Sequence, residues 1–286
     1  MGNTPQLPLF YNNPTPLQTD KHLHLSLRKN FGFFFAKGVN AVPINLVEMP
    51  QVCHFYPIAF SPDGNGSPVA ILGLRDNENL YLTEDGGWLE DTYIPAYVRR
   101  YPFIFSEHPH SEQLTLCVDM DPRVIVEHES QPFFNPDGTP SDLSRNALEF
   151  CESYHAAASQ TINFSKRLVD LDLLVDRAAR IEVFGGRVIN FSGFRIIDES
   201  RLARLEDAAH LSLREEGLLP FIYAHLFSGT QWQRLSKMLS TKLSKERGEP
   251  FFNTIVDDKI GAQPAAQTGY MAATPIATAF RHLKQR

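Results

Sequence analysis

Tyr97, Arg99, Arg100 and Tyr101 place two guanidinium groups and two phenol rings within five consecutive positions. A guanidinium grips a carboxylate or phosphate in bidentate fashion, while neighbouring rings lend apolar surface and cation–π support. These four are the candidate binding residues. The competing role is architectural, an arginine bracing a sheet by pairing with Asp119 or Glu48. Histidines offer a second chemistry. His22 and His24 alternate, as do His108 and His110 with Glu112 nearby. On a strand, alternate side chains point the same way, so His22 and His24 would share a face and chelate. Two histidines and a carboxylate suit ferrous iron in a non-haem site, although the sequence locates no third ligand. Loop histidines held by backbone groups explain the same residues without a metal. Asp119 and Asp121 end a strand-like run and read as a divalent-cation site or as turn formers.

Nucleophilic chemistry has little support. Cys53 precedes His54, which puts the pair on opposite faces of a strand, and Cys117 and Cys151 lie in periodic apolar runs that suit core packing. His225 sits in an apolar helix as a hydrogen-bonded core group. There is no Gly-x-Ser-x-Gly elbow, P-loop or dinucleotide fingerprint. The expectation is a non-catalytic protein without a cofactor, the alternative being an enzyme or enzyme subunit that uses Fe2+ in a cupin-like or 2-oxoglutarate-oxygenase-like site.

Charge narrows the partners. Twenty-seven Lys and Arg against 33 Asp and Glu give a net charge of −6, which lacks the basic footprint of nucleic-acid binding. A protein partner or a small acidic ligand is expected instead. Three widely spaced cysteines form no disulfide framework and fit a reducing compartment. The first residues lack the basic start and apolar run of a secretory signal, so a cytoplasmic location is expected. The longest nearly apolar stretch, Leu218 to Phe227, is too short to cross a bilayer.

The elements that must position these residues follow from periodicity. Residues 1–20, with four prolines, read as an extended arm. Residues 21–131 form the β-rich part. Strands are expected at Val42–Val47, Tyr56–Phe60, Val69–Leu74, Leu80–Thr83, Phe103–Phe105 and Leu114–Val118, reversing at Gly-containing turns in an antiparallel, partly curled sheet. Beyond the proline-rich segment 132–140 the period changes to that of a helix. Residues 141–244 form the helical part. Ser141 caps a helix to about Phe164, and Lys166–Ala179 reads as a second. Gly185-Gly186 joins a two-residue hairpin over 181–191, and helices follow at Arg201–Leu205, Asp207–Glu216, Pro220–Phe227 and Thr230–Leu243. Residues 245–286 read as a tail of low order. The fold class is α+β, an N-terminal antiparallel sheet packed against a C-terminal helical layer that includes one β-hairpin.

Several segments resemble one bacterial family: Asn40-Ala41-Val42-Pro43, Glu48-Met49-Pro50, Tyr56-Pro57-Ile58, the stretch Tyr93 to Phe105, Ser192-Gly193-Phe194 and Ile222 to Leu226. Together they resemble the SapC family, named after a surface-array accessory gene and distinct from the peptide-transporter permease of similar name. The resemblance implies an accessory role linked to outer-membrane nutrient uptake or to surface-layer biology, with a structural surface-layer component as a further alternative. It carries no catalytic motif.

Overall fold

A computed structural model of the chain describes residues 7–108 and 111–248. In chain order its elements are β1 (Pro14–Pro16), α1 (Thr19–His22), β2 (Leu25–Leu27), β3 (Ala41–Pro43), α2 (Met49–Val52), β4 (Ile58–Phe60), β5 (Pro68–Ile71), α3 (Ala96–Arg100), β6 (Phe103–His108), β7 (Ser111–Asp119), β8 (Ile125–Glu127), α4 (Asp142–Asp170), β9 (Leu174–Val183), β10 (Arg187–Ile197), α5 (Glu199–Ala203), α6 (Asp207–Glu215), α7 (Leu219–Ser228) and α8 (Gln231–Arg247). Short 3-10 turns occupy Phe34–Ala36 and Leu46–Glu48. The class is α+β: antiparallel strands dominate the first half and helices the second, and the sheets do not close into a barrel.

The N-terminal strands divide among three sheets, ordered β1-β7-β6, β3-β5-β4-β10-β9 and β2-β8. Proline accounts for part of the division. Pro43 ends β3 and Pro68 begins β5, where a missing N–H stops a ladder from extending. The largest sheet recruits the C-terminal hairpin through the pairing of Arg195 with Phe60. Its three N-terminal strands are buried at every position, which explains their unbroken apolar runs.

Three local expectations need correction. Leu80–Thr83 is not a strand. Only a single bridge joins Leu82 to Trp88, because the Thr83–Gly87 turn reverses the chain too soon. Lys166–Ala179 is not a helix of its own: α4 runs unbroken to Asp170, and β9 starts at Leu174. Pairing of β9 with β10 along its whole length overrides the helix propensity of its Ala, Leu and Arg residues. The hairpin loop holds three residues, Phe184, Gly185 and Gly186, and both glycines adopt the positive φ that its reversal requires. Lys245 and Arg247 belong to α8, which Gly248 terminates in the left-handed conformation. Residues 249–286, and with them most of the expected tail, lie outside the described residues.

Two apolar clusters form the interior. The larger surrounds the five-stranded sheet and includes Tyr56, Phe60, Phe164, Leu168 and Leu239. The smaller lies on the three-stranded sheet, around Tyr11, Tyr101, Phe103, Val118 and Phe133. Helix α4 touches both: Ala147 and Cys151 enter the small cluster, while Tyr154, Phe164 and Leu168 enter the large one. Its 29 residues, about 43 Å at the α-helical rise, join the two. The N-terminal arm is secured too, since the Tyr11 hydroxyl donates to Phe103 O at 2.6 Å and β1 pairs with β7.

Candidate anion-binding site

The short helix α3 sits at the junction of the clusters, and its limits are set by proline. Pro95 supplies the carbonyl that accepts from the Val98 and Arg99 amides, and Tyr101, extended before Pro102, ends the turn. Buried Glu48 holds its start. One carboxylate oxygen accepts from the Ala96 amide at 2.6 Å and the Tyr93 hydroxyl at 2.9 Å, and the other accepts from the Asn45 amide at 2.9 Å. Within α3, residues three apart share a face. Tyr97 and Arg100 therefore share one face, against Tyr154 of α4, and Arg99 lies on another, over Phe150 of α4.

Arg100 is 8% exposed, yet no carboxylate among the described residues pairs with it. Its Nε is buried and has no hydrogen-bond partner. Rings surround the guanidinium instead, with its central carbon 4.4 Å from the Tyr154 centroid, 4.8 Å from Tyr97 and 5.7 Å from Tyr11. Burial opposes its charge, while the phenol groups of Tyr11, Tyr154 and Tyr97 favour it, and the net displacement is upward. The group stays cationic. Burial likewise pushes the Tyr11 phenol above its usual range, with Arg100 opposing, so that Tyr11 stays neutral. A neutral phenol cannot discharge a cation.

Arg100 and Tyr97 form part of the wall of a cavity of about 540 Å³. One side is a stripe of α4 that runs from Cys151 through Tyr154, Ala158 and Ile162 to Val169. Opposite lie the β3 end at Pro43–Asn45, the Gly64–Pro68 turn and β6 at Ile104 and Phe105. No Asp or Glu occurs among the described lining residues, although the whole chain carries a net charge of −6. The lining cations are Arg100, deep in the wall, and Lys166, which is exposed.

The SapC family profile matches residues 17–235. The chain belongs to the SapC family. No curated protein and no solved structure matches it. Among the described residues of this SapC chain, no helix is long and apolar enough to cross a membrane.

The other residues singled out by sequence lie elsewhere. Exposed Arg99 donates to Ile94 O and the Tyr93 hydroxyl, each at 3.0 Å, and bridges the Tyr93 and Phe150 rings. Tyr101 turns into the small cluster, where it stacks on Phe35 at 4.1 Å and donates to Asp119 at 3.1 Å. Neither Asp119 nor Glu48 braces an arginine. Asp119 accepts from the Asn12 and Asn13 amides at 3.0 and 2.5 Å, and Asp121 pairs with Arg123.

The strand geometry that would let His22 and His24 chelate is absent. His22 closes α1, buried, with its Nδ1 accepting the Gln18 amide at 3.1 Å, and exposed His24 follows in a turn. Among the described residues no three His, Cys, Asp or Glu are grouped to hold a metal ion. The side chains at His108, His110 and Glu112 lie outside the described residues. His225 Nε2 accepts the Ile197 amide at 3.1 Å inside the core.

Sequence reasoning missed Tyr11, Tyr154 and Lys166 as companions of Arg100. Their only signal was position. Tyr154 falls on the apolar face of the α4 helix, but nothing in its spacing names the element that faces it.

Proposed function

We propose that this SapC-family chain is a non-catalytic binding protein whose cavity beside α4 captures a small acidic ligand, with Arg100 as the anchor and Tyr97, Tyr154 and Tyr11 as its aromatic collar. The uncompensated charge of buried Arg100 supports this best. A cation out of water and without a counter-ion costs several kcal/mol, about what removing one partner from a buried ion pair costs. An anion entering the cavity offsets that cost, so the site favours occupation by negative charge.

The chemistry of the wall supports capture over turnover. Cys151 and His155 stand one helical turn apart on α4 and both line the cavity. Burial pushes the Cys151 thiol up to about 11, with Arg100 opposing only in part, so the sulfur is protonated at neutral pH and a poor nucleophile. Asn45 and Thr161 commit their polar atoms to the backbone of the Leu46–Glu48 turn and of α4: Asn45 Nδ2 donates to Tyr154 O, and Thr161 Oγ1 accepts the Leu46 amide and donates to Ala157 O.

The test is a thermal-shift screen of small anions against the natural chain and Arg100→Met. At least one acid should raise the melting temperature of the natural chain only, and chromatography should recover it unchanged. Binding that ignores the substitution, or conversion of the acid to a product, would remove this reading.

A further inference from the structure

We infer that the acid taken up beside α4 is a monocarboxylate carried on an apolar body, and not a phosphate; this rests on the reading of the cavity as an acid-binding site. Charge stoichiometry gives the first half. The deep wall presents one cation, Arg100, with Lys166 out at the exposed surface of α4 and no acidic residue in the described lining. One negative charge brings the buried site to neutrality. A phosphate dianion would leave a net negative charge in the same low-dielectric space, which is again unfavourable.

Donor supply points the same way. A phosphate presents three acceptor oxygens that call for a cluster of N–H and O–H donors. Here the Thr161 hydroxyl is committed to Ala157 O, the Tyr97 hydroxyl to Leu9 O at 3.2 Å and the Tyr11 hydroxyl to Phe103 O. Beside these committed hydroxyls the planar guanidinium is the charged donor at the deep wall, and a carboxylate matches its fork with two oxygens.

The body follows from the rest of the wall. Ile44, Ile104, Phe105, Ala158, Ile162 and Val169 line much of the space beyond Arg100, with Asn65, Ser67 and His155 between them. A cavity of about 540 Å³ is far larger than a carboxylate group. It falls in the size range that encloses most of a drug-sized molecule. Formate or acetate would satisfy the charge and leave apolar walls in contact with water.

Isothermal titration of the full chain tests both halves, with aryl- and alkyl-carboxylates such as phenylbutyrate and octanoate, acetate, and the phosphate monoesters of the matching alcohols. The larger carboxylates should bind about tenfold or more tighter than acetate and than their phosphate counterparts, and Arg100→Met, confirmed as folded by its cooperative melt, should weaken them about tenfold or more. Ala158→Trp, which fills the cavity and leaves Arg100 in place, should weaken the larger carboxylates and spare acetate. Phosphates that bind as tightly as the carboxylates and depend on Arg100 would overturn the monocarboxylate inference while leaving the acid-binding site intact. Acetate binding as tightly as phenylbutyrate would overturn the apolar body. If no acid in the set depends on Arg100, both the inference and the acid-binding reading fall.

Discussion

The Glu48 carboxylate accepts the backbone amide of Ala96 at 2.6 Å, and through that bond a residue of one 3-10 turn sets where α3 begins and so where Arg100 points. Glu48 is buried and has three donors from Asn45, Tyr93 and Ala96. Glu48→Ala strands all three. A loss of about 2–4 kcal/mol is expected, since each buried donor left unpaired costs about 1–3 kcal/mol and some relax towards water. Urea denaturation measures it. Anion affinity should fall in the same variant although no charge at the cavity has changed.

Arg100→Met should behave in the opposite way. Three ring contacts stabilise the guanidinium by about 0.5–2 kcal/mol each, and burying its charge costs several. These nearly cancel. The substitution should change unfolding free energy by less than about 2 kcal/mol while weakening acid binding about tenfold or more. A loss near that of Glu48→Ala would instead mark Arg100 as a structural brace.

The fold was legible wherever one local pattern decided it. Ser141 starts α4, where it accepts the Ser144 amide, and the glycines of 185–186 mark the β9–β10 reversal. Sequence erred at β9, whose Leu, Ala and Arg residues favour helix but whose partner, β10, is supplied by tertiary pairing. The candidate site was half legible. Tyr97 and Arg100 stand out by residue type, yet Tyr101 and Arg99 share those types and turn elsewhere, because proline at 95 and 102 limits α3 to little more than one turn. Tyr11 and Tyr154 reach Arg100 from 89 and 54 positions away in sequence, a proximity that no local spacing encodes.

The Gly64–Pro68 wall of the cavity depends on Gly66. Its φ is +59°, and a Cβ there would lie 2.7 Å from Leu174 Cδ1 and 3.3 Å from Val169 Cγ2. Gly66→Ala must both hold a left-handed backbone and push these side chains aside, a cost of about 1–3 kcal/mol. Because Val169 also lines the cavity, the turn should shift from the end of α4 and acid affinity should drop. Calorimetric melting and titration of the same variant give both numbers.

His225 makes stability depend on pH, with a sign fixed by its burial. Removal from water lowers its pKa from 6.5 to about 4, opposed by the Ile58 backbone, and the ring packs 5.0 Å from Phe60 with Nε2 bonded to the Ile197 amide. Above the unfolded value neither state binds the proton, so the full stability is present. As pH falls below 6.5 the unfolded chain takes up a proton that the folded chain refuses until about pH 4. Stability is therefore lost across that window, by up to about 3 kcal/mol from this group. His225→Gln offers an oxygen to the Ile197 amide but does not titrate. Urea midpoints of the two proteins, followed from neutral pH down through the window, should converge as the histidine protein loses its advantage. Parallel curves would mean that His225 titrates alike in the folded and unfolded chains.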